Sequence, residues 1–245
     1  MTEVAVVTGA AQGLGAAIAD ALEHAGSRVA RTDVEAAEFE LDVTDRASVE
    51  QAVEKIAAHV GEPTILVNNA GINRIGPSES LEEERWQRVI EVNLTGTFRC
   101  CQVIGARMLR AGSGAIVNVA SISANLGMPG RAAYCASKAG IVALTRVLAV
   151  EWAARGVRVN AVAPGYVATP MIEQALAEGL LSADAVAART PAGRLATPAE
   201  VAAVVVFLAS EDARFVTGET LTVDGGYLAY GAPAPASKLP EMTLL

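Results

Sequence analysis

Between Glu3 and Gly15 the chain reads E-V-A-V-V-T-G-A-A-Q-G-L-G: an apolar stretch, then three glycines, then a helical pattern that reaches Glu23 with Gly26 just past its end. A short apolar run closed by glycine reads as a buried strand, and glycine beyond the last periodic residue is a helix stop. A strand that turns through glycine into a helix N-terminus aims backbone N–H groups and the helix dipole at one point. That point attracts a phosphate, and glycine lets it come close. The spacing Gly9, Gly13, Gly15 departs from the G-x-G-x-x-G form. On these residues alone, a tight turn without a ligand is the other reading.

The rest of the chain repeats the alternation. Strands are expected at about 3–8, 28–32, 38–41, 64–68, 114–120, 157–163 and 219–223. Helices are expected at 13–25, 46–60, 81–111 with a break near Asn93, 132–155 and 198–210. Thr197, Pro198 and Glu200 give an N-cap, an N1 proline and a capping-box acid. Strand–helix alternation requires right-handed crossovers and a parallel sheet covered on both faces, an α/β doubly wound fold. No repeat or second domain emerges, so residues 1–245 read as one domain. Residues 168–196 form a segment suited to a lid, because A175-L-A-E-G-L-L181 is amphipathic.

The second strand ends in Asp33. A carboxylate there can accept bonds from a ribose 2′-OH and repels a 2′-phosphate, which favours NAD over NADP. Arg28 and Arg31 oppose that inference, since arginine can accommodate the extra phosphate, and Arg31 should share the Asp33 face of the strand.

Tyr134 and Lys138 lie four apart in an Ala-rich segment and so share a helical face. A tyrosine titrates near ~10, and a neighbouring ammonium lowers that value, allowing proton transfer near neutrality. Ser121 can donate to the same substrate oxygen. A lone Tyr-x-x-x-Lys pair is more often packing plus a solvated lysine, so its weight comes from its company.

Composition excludes several alternatives. The net charge of −8 argues against nucleic acid and anionic membrane surfaces. Although 52% of residues are hydrophobic, no charge-free apolar run approaches the ~20 residues of a membrane span. The first strand leaves no room for a signal peptide. Cys100, Cys101 and Cys135 lack disulfide or metal spacing and read as reduced residues of a cytoplasmic protein, and no metal site is expected. His24 and His59, near helix ends, read as solvated, which makes a Ser-His-Asp hydrolase improbable.

The chain resembles the short-chain dehydrogenase/reductases over nearly its whole length. T8-G-A-A-Q-G-L-G15 is similar to their cofactor loop, Asp42-Val43 to the pair beside the adenine, and N68-N-A-G71 to the motif after the fourth strand. Asn93, Ser121, Tyr134 and Lys138 fall at the family's active-site positions. P164-G-Y-V-A-T169 is similar to the nicotinamide-side motif and D224-G-G226 to a C-terminal signature. The resemblance implies a Rossmann-type sheet of order 3-2-1-4-5-6-7. It implies cofactor contacts from Gly9, Gln12, Gly13, Leu14, Gly15, Asp33, Asp42, Val43, Asn69, Ala70, Gly71, Tyr134, Lys138, Pro164, Gly165, Val167 and Thr169. It further implies that Tyr134 exchanges the proton, Lys138 binds the nicotinamide ribose and lowers the Tyr134 pKa, and Ser121 orients the substrate oxygen. Asn93 would break its helix and hold a relaying water. A homotetramer through the helices containing 96–107 and 139–152 is implied as well.

Two features depart from the family pattern. Only V34–L41 separates Asp33 from Asp42, too little for a crossover helix, so the adenine side should be open. After Gly226 comes a tail, 228–245, in which Pro233, Pro235 and Pro240 forbid a helix. It is either a frayed terminus or an arm anchored on a neighbouring subunit by Leu239, Met242, Leu244 and Leu245.

Candidate substrate contacts are Ile72, Asn73, Ser123, Asn125, Met128, Tyr166 and 168–196. Few aromatics and several small polar groups point to a compact polar substrate. The scaffold segments E151–T169 and V223–Y227 resemble bacterial sugar-alcohol and secondary-alcohol dehydrogenases, galactitol dehydrogenases among them, and imply a polyol or sugar-like substrate. The alternatives are an NADPH-dependent 3-oxoacyl thioester reductase, a dihydrodiol dehydrogenase and a non-catalytic NAD sensor. Asp33 and the acidic balance oppose the thioester reading. The intact Ser121, Asn93, Tyr134 and Lys138 oppose the sensor.

Overall fold

Alternate residues of the first strand, β1 (Val4–Thr8), enter two different cores. Val4 and Val6 pack on one side of the sheet, Ala5 and Val7 on the other. The period of two recurs in β4 (Ile65–Asn68), β5 (Gly114–Val119) and β6 (Val157–Pro164): Leu66, Ile116 and Val159 face the first core, Val67, Val117 and Val162 the second. Strands buried on both faces are near-continuously apolar, which is how these read. With β2 (Arg28–Asp33), β3 (Phe39–Glu40) and β7 (Thr220–Val223) they form one parallel sheet of order β3-β2-β1-β4-β5-β6-β7. This computed structural model describes residues 3–35 and 37–231. The expected anchors Leu239, Met242, Leu244 and Leu245 lie outside the described residues.

The first core is covered by α2 (Arg46–His59), α4 (Gly96–Ala111) and α5 (Ala132–Trp152), the second by α1 (Gly13–His24) and α8 (Pro198–Ala209). The Thr197 capping box forms as read: Glu200 N–H donates to Thr197 Oγ1, and Glu200 Oε2 accepts from Thr197 N–H. Residues Ala132–Arg155 are long and apolar enough to cross a membrane by length and composition. Here that helix lies on the sheet, burying Ser137, Lys138, Ile141, Thr145 and Leu148.

Three local readings need correction. The expected break near Asn93 is a π-helical turn, Glu91–Thr95, which joins α3 (Glu83–Ile90) to α4 without interrupting the helix. The helix expected from about 81 starts at Glu83, preceded by a separate 3₁₀ turn, Ser78–Ser80. The amphipathic stretch near 175–181 contains the end of α6 (Pro170–Ala177), and a further helix, α7 (Ala183–Arg189), follows it.

The β2–β3 link is as short as the sequence requires. Residues 34–38 connect Asp33 to Phe39, and the two strands pair in parallel with Thr32 opposite Phe39 and Asp33 opposite Glu40. Among the described residues no helix lies between these two strands.

Candidate active site

The carboxyl ends of β1, β4, β5 and β6 meet where the strand order reverses, the crevice in which doubly wound sheets bind ligands. There the glycine loop is held by side chains from the next strand's end. Thr8 Oγ1 accepts from the N–H groups of Asn69 and Ala70, both at 3.1 Å, while Asn69 Nδ2 donates to the carbonyls of Thr8 and Gly9. The packing leaves no room for side chains: a Cβ on Gly9 would lie 2.8 Å from Ala70 Cα, and one on Gly15 2.1 Å from Gly9 O. Gly9 also has φ +66, which glycine adopts without strain.

Every residue expected to contact the cofactor lines one cavity of about 390 Å³: Gly9, Gln12, Gly13, Leu14, Gly15, Asp33, Asp42, Val43, Asn69, Ala70, Gly71, Tyr134, Lys138, Pro164, Gly165, Val167 and Thr169. At its open end Asp33 Oδ2 accepts from Ala11 N–H at 3.1 Å and Oδ1 from Val34 N–H at 2.8 Å. Arg31 turns away to α1, donating to Asp20 and Glu23 at 2.7 and 2.8 Å. Arg28 donates to the His59 carbonyl. Burial would raise the Asp42 carboxyl, but the Thr44 amide and hydroxyl, with Arg88 and Arg99 nearby, hold it below its ordinary value. At the other end Gly165 packs against Asp224, where a Cβ would meet Asp224 Cα at 2.9 Å. The Asp224 carboxylate accepts from Gly226 and Leu228 N–H, both at 2.8 Å, so the D-G-G signature buttresses the P-G motif.

A second cavity of about 320 Å³ lies beside the first and shares Ser121, Tyr134, Gly165, Met171 and Ile172 with it. Ser121 follows β5, and Tyr134 occupies the first turn of α5. Lys138 lines only the larger cavity, 4% exposed, with Nζ donating to Val119 O at 2.7 Å and lying 5.6 Å from the Tyr134 ring centre. Burial lowers the Lys138 pKa to about 8. Burial pushes the Tyr134 hydroxyl above its usual value, while a hydrogen bond from Ser121 and the positive charge of Arg131 oppose the rise. Lys138 Nζ stands beside the Tyr134 ring, and Arg131 is a further cation that favours its phenolate.

Asn93 does not line either cavity. Its Oδ1 accepts from Ile72 N–H, and its Nδ2 donates to Ile72 O and to Ser137 Oγ. Of the expected substrate contacts, Asn73, Met128 and Tyr166 line the smaller cavity, as do Met171, Ile172, Gln174 and Ala175 of α6. Ile72 lines the larger one instead, Ser123 is 2% exposed behind the wall, and Asn125 lines neither. Sequence reasoning missed Arg74 and Arg131 on this wall. The available signal was that Arg131 stands one helical turn before Tyr134. Cys100 and Cys101 are fully buried, and burial raises the Cys100 thiol to about 12, so neither is reactive. Among the described residues no His/Cys/Asp/Glu group could hold a metal.

A doubly wound sheet with a glycine cradle at its switch point and a tyrosine–lysine pair beside it defines a nicotinamide-dinucleotide oxidoreductase. The family model described as "Enoyl-(Acyl carrier protein) reductase" matches residues 9–228. The chain is 46% identical over 242 residues to D-threitol dehydrogenase of Mycolicibacterium smegmatis, covering 92% of each chain. It is likewise 46% identical over 243 residues to cis-4-hydroxycyclohexanecarboxylate dehydrogenase of Sinomonas cyclohexanicum, covering 92% of this chain and 96% of the other. Among solved structures, gluconate 5-dehydrogenase of Burkholderia cenocepacia in complex with NADP and tartrate superposes with a TM-score of 0.89 at 34% identity, over 94% of this chain and 96% of that one. The chain belongs to the short-chain dehydrogenase/reductase family and is an NAD(P)-dependent oxidoreductase of alcohols and ketones.

Proposed function

We propose that this enzyme interconverts a polyol or sugar-like secondary alcohol and its ketone, with NAD(H) as coenzyme. One observation carries the reading: Ser121 and Tyr134 stand in the wall common to both cavities, where a substrate in one meets a coenzyme in the other. When bound, the nicotinamide accepts or returns the hydride. In the oxidation direction Tyr134, as phenolate, takes the proton from the substrate hydroxyl while Ser121 donates to the same oxygen. Lys138 holds its ammonium at the floor of the coenzyme cavity, within reach of a ribose. Asn93 is a positioning residue that fixes the backbone after Gly71. Both its amide hydrogens are donated, so a relaying water would meet the second lone pair of Oδ1 or the backbone of the turn.

Asp33, anchored to the Ala11 amide, supports NAD, because Arg31 is spent on two acids and Arg28, bonded to the His59 carbonyl, does not line the coenzyme cavity. The D-threitol dehydrogenase relative supports a polyol. Residues 168–196 are the lid: their two ends are tied by Ala168 N–H to Ala196 O and Ala196 N–H to Tyr166 O, both at 2.9 Å. Exposed Phe98 on α4 with Val147 and Val150 on α5 supports a homotetramer through those helices. Unpaired cysteines are in keeping with a cytoplasmic enzyme.

The test is the initial rate of coenzyme reduction, crossing NAD and NADP against polyols, secondary alcohols and a 3-hydroxyacyl thioester. Turnover of a polyol with NAD is expected. Activity confined to NADP and the thioester would overturn the reading. Light scattering tests the tetramer, which a monomeric mass would refute.

A further inference from the structure

The wall of the smaller cavity runs against the charge of the molecule. The chain carries −8, yet this wall holds two arginines, Arg74 and Arg131, against one acid, Glu178. Of the other fourteen arginines, six stand in ion pairs: Arg31, Arg46, Arg85, Arg99, Arg107 and Arg194. Among the described residues Arg74 and Arg131 have no carboxylate partner. Arg74 donates to Asn73 O at 3.3 Å, and half-buried Arg131 donates to Met128 Sδ at 3.4 Å. A thioether is a weak acceptor, so a guanidinium with five donors is left largely unsatisfied.

Arg131 does not reach the coenzyme cavity, so coenzyme phosphates are not its counter-ion. It stands one helical turn before Tyr134, close enough for its charge to act on the tyrosine hydroxyl. On the same wall Asn73 Oδ1 is buried without a hydrogen-bond partner, an acceptor in need of a hydroxyl. One unpaired guanidinium, one unused acceptor and the Ser121–Tyr134 pair together describe a ligand with an oxyanion at one end and hydroxyls along its length.

We infer that the substrate is a hydroxy carboxylate, its carboxylate received by Arg131, and that Arg131 selects it over the neutral polyol of the same length. The inference rests on the dehydrogenase reading above and narrows its substrate class. A guanidinium fork matches a carboxylate through two parallel bonds. A phosphate monoester could meet the same fork, but its greater charge would sit against Glu178 with less cation to balance it.

The experiment measures kcat/KM for aldonates of increasing length, each paired with its alditol and its alditol phosphate, in wild type, Arg131→Gln and Arg131→Lys. Wild type should prefer an aldonate to its alditol. Arg131→Gln should lower that preference by about 10- to 100-fold, mainly through KM, as expected for losing hydrogen bonds to a charged group. Arg131→Lys should restore part of it. Equal losses on both members of a pair, or a wild-type preference for alditol or phosphate, overturn the inference and leave the dehydrogenase reading standing. A wild type inert with every alcohol overturns the dehydrogenase reading. Thermal shift with NAD then judges the cavity alone: stabilisation by aldonate but not alditol, lost in Arg131→Gln, supports carboxylate recognition, and its absence refutes it.

Discussion

The side chain of Asn93 brackets the peptide group of Ile72, accepting from its N–H at 2.8 Å and donating to its C=O at 2.9 Å. The same amide nitrogen donates to Ser137 Oγ at 3.1 Å, next in sequence to Lys138. The loop after β4, the π-helical turn and α5 are thus fixed to one another by one buried amide. A Cβ on Gly71 would lie 3.3 Å from Asn93 Oδ1 and 3.7 Å from Lys138 Nζ, so the clamp sits beside the reacting groups.

Asn93→Ala leaves both polar groups of the Ile72 peptide without a partner. Each unsatisfied buried group costs about 1–3 kcal/mol, and urea denaturation should show a loss of that order. The kcat should fall as well, because Gly71 and Ile72 line the coenzyme cavity. Wild-type stability in this variant would mean that water replaces the amide without cost.

Tyr134→Phe removes the proton carrier and little volume. Turnover should drop by about 10²- to 10⁴-fold, the usual worth of general acid–base catalysis. NADH binding, followed by fluorescence, should persist. Ser121→Ala retains the tyrosine but removes the bond that opposes the burial-driven rise of its pKa. The acid-side limb of kcat/KM for oxidation, where activity rises as Tyr134 loses its proton, should therefore move to higher pH. A shift to lower pH would contradict the assignment of Ser121 as donor to Tyr134.

The coenzyme side was legible in the sequence because its requirements are local. Gly9, Gly13 and Gly15 answer to backbone geometry within one turn, and Asp33 closes the strand that follows. Strand–helix alternation likewise pointed to a covered parallel sheet, with V-A-V-V and I-L-V-N as buried strands, while the strand order came only from the family resemblance. The substrate side was less legible. Its wall is assembled from 73–75, 121–134, 165–166 and the 171–180 segment, and no spacing rule relates those stretches. Ser123 and Asn125 looked suited to it because they neighbour Ser121, yet a 3₁₀ turn at Ile122–Ala124 takes them away from it. The π-helical turn was hidden for a similar reason: it contains no glycine or proline, and its Asn93 is bonded to the distant Ile72 peptide.

Asp33→Ser tests coenzyme choice. The carboxylate is held by the Ala11 and Val34 amides at the cavity mouth, where it would repel a 2′-phosphate. Its removal should weaken NAD and improve NADP, each by about tenfold if one charge-assisted bond or repulsion of ~1.4 kcal/mol is involved. The ratio of kcat/KM for the two coenzymes measures both at once. If NADP gains nothing, the shortened β2–β3 link rather than Asp33 sets the preference.

Lys138 is a buried cation with, among the described residues, a single hydrogen-bond partner, Val119 O, so the fold bears a cost for holding it. Its pKa, about 8 in the folded chain, lies below the 10.5 of a free lysine. Between those values the unfolded chain holds more protons than the folded one, so this group makes stability rise with pH across that window. Below pH ~8 the ammonium is charged in both states and the burial cost is borne in full. Lys138→Met should therefore raise the melting temperature at pH 7 by about 2–4 °C for each kcal/mol relieved, with turnover lost. The gain should shrink through the window and vanish above pH ~10.5, where both forms of the lysine are neutral. A melting temperature that instead falls at pH 7 would show that the ammonium has more partners in solution than Val119 and stabilises the site it serves.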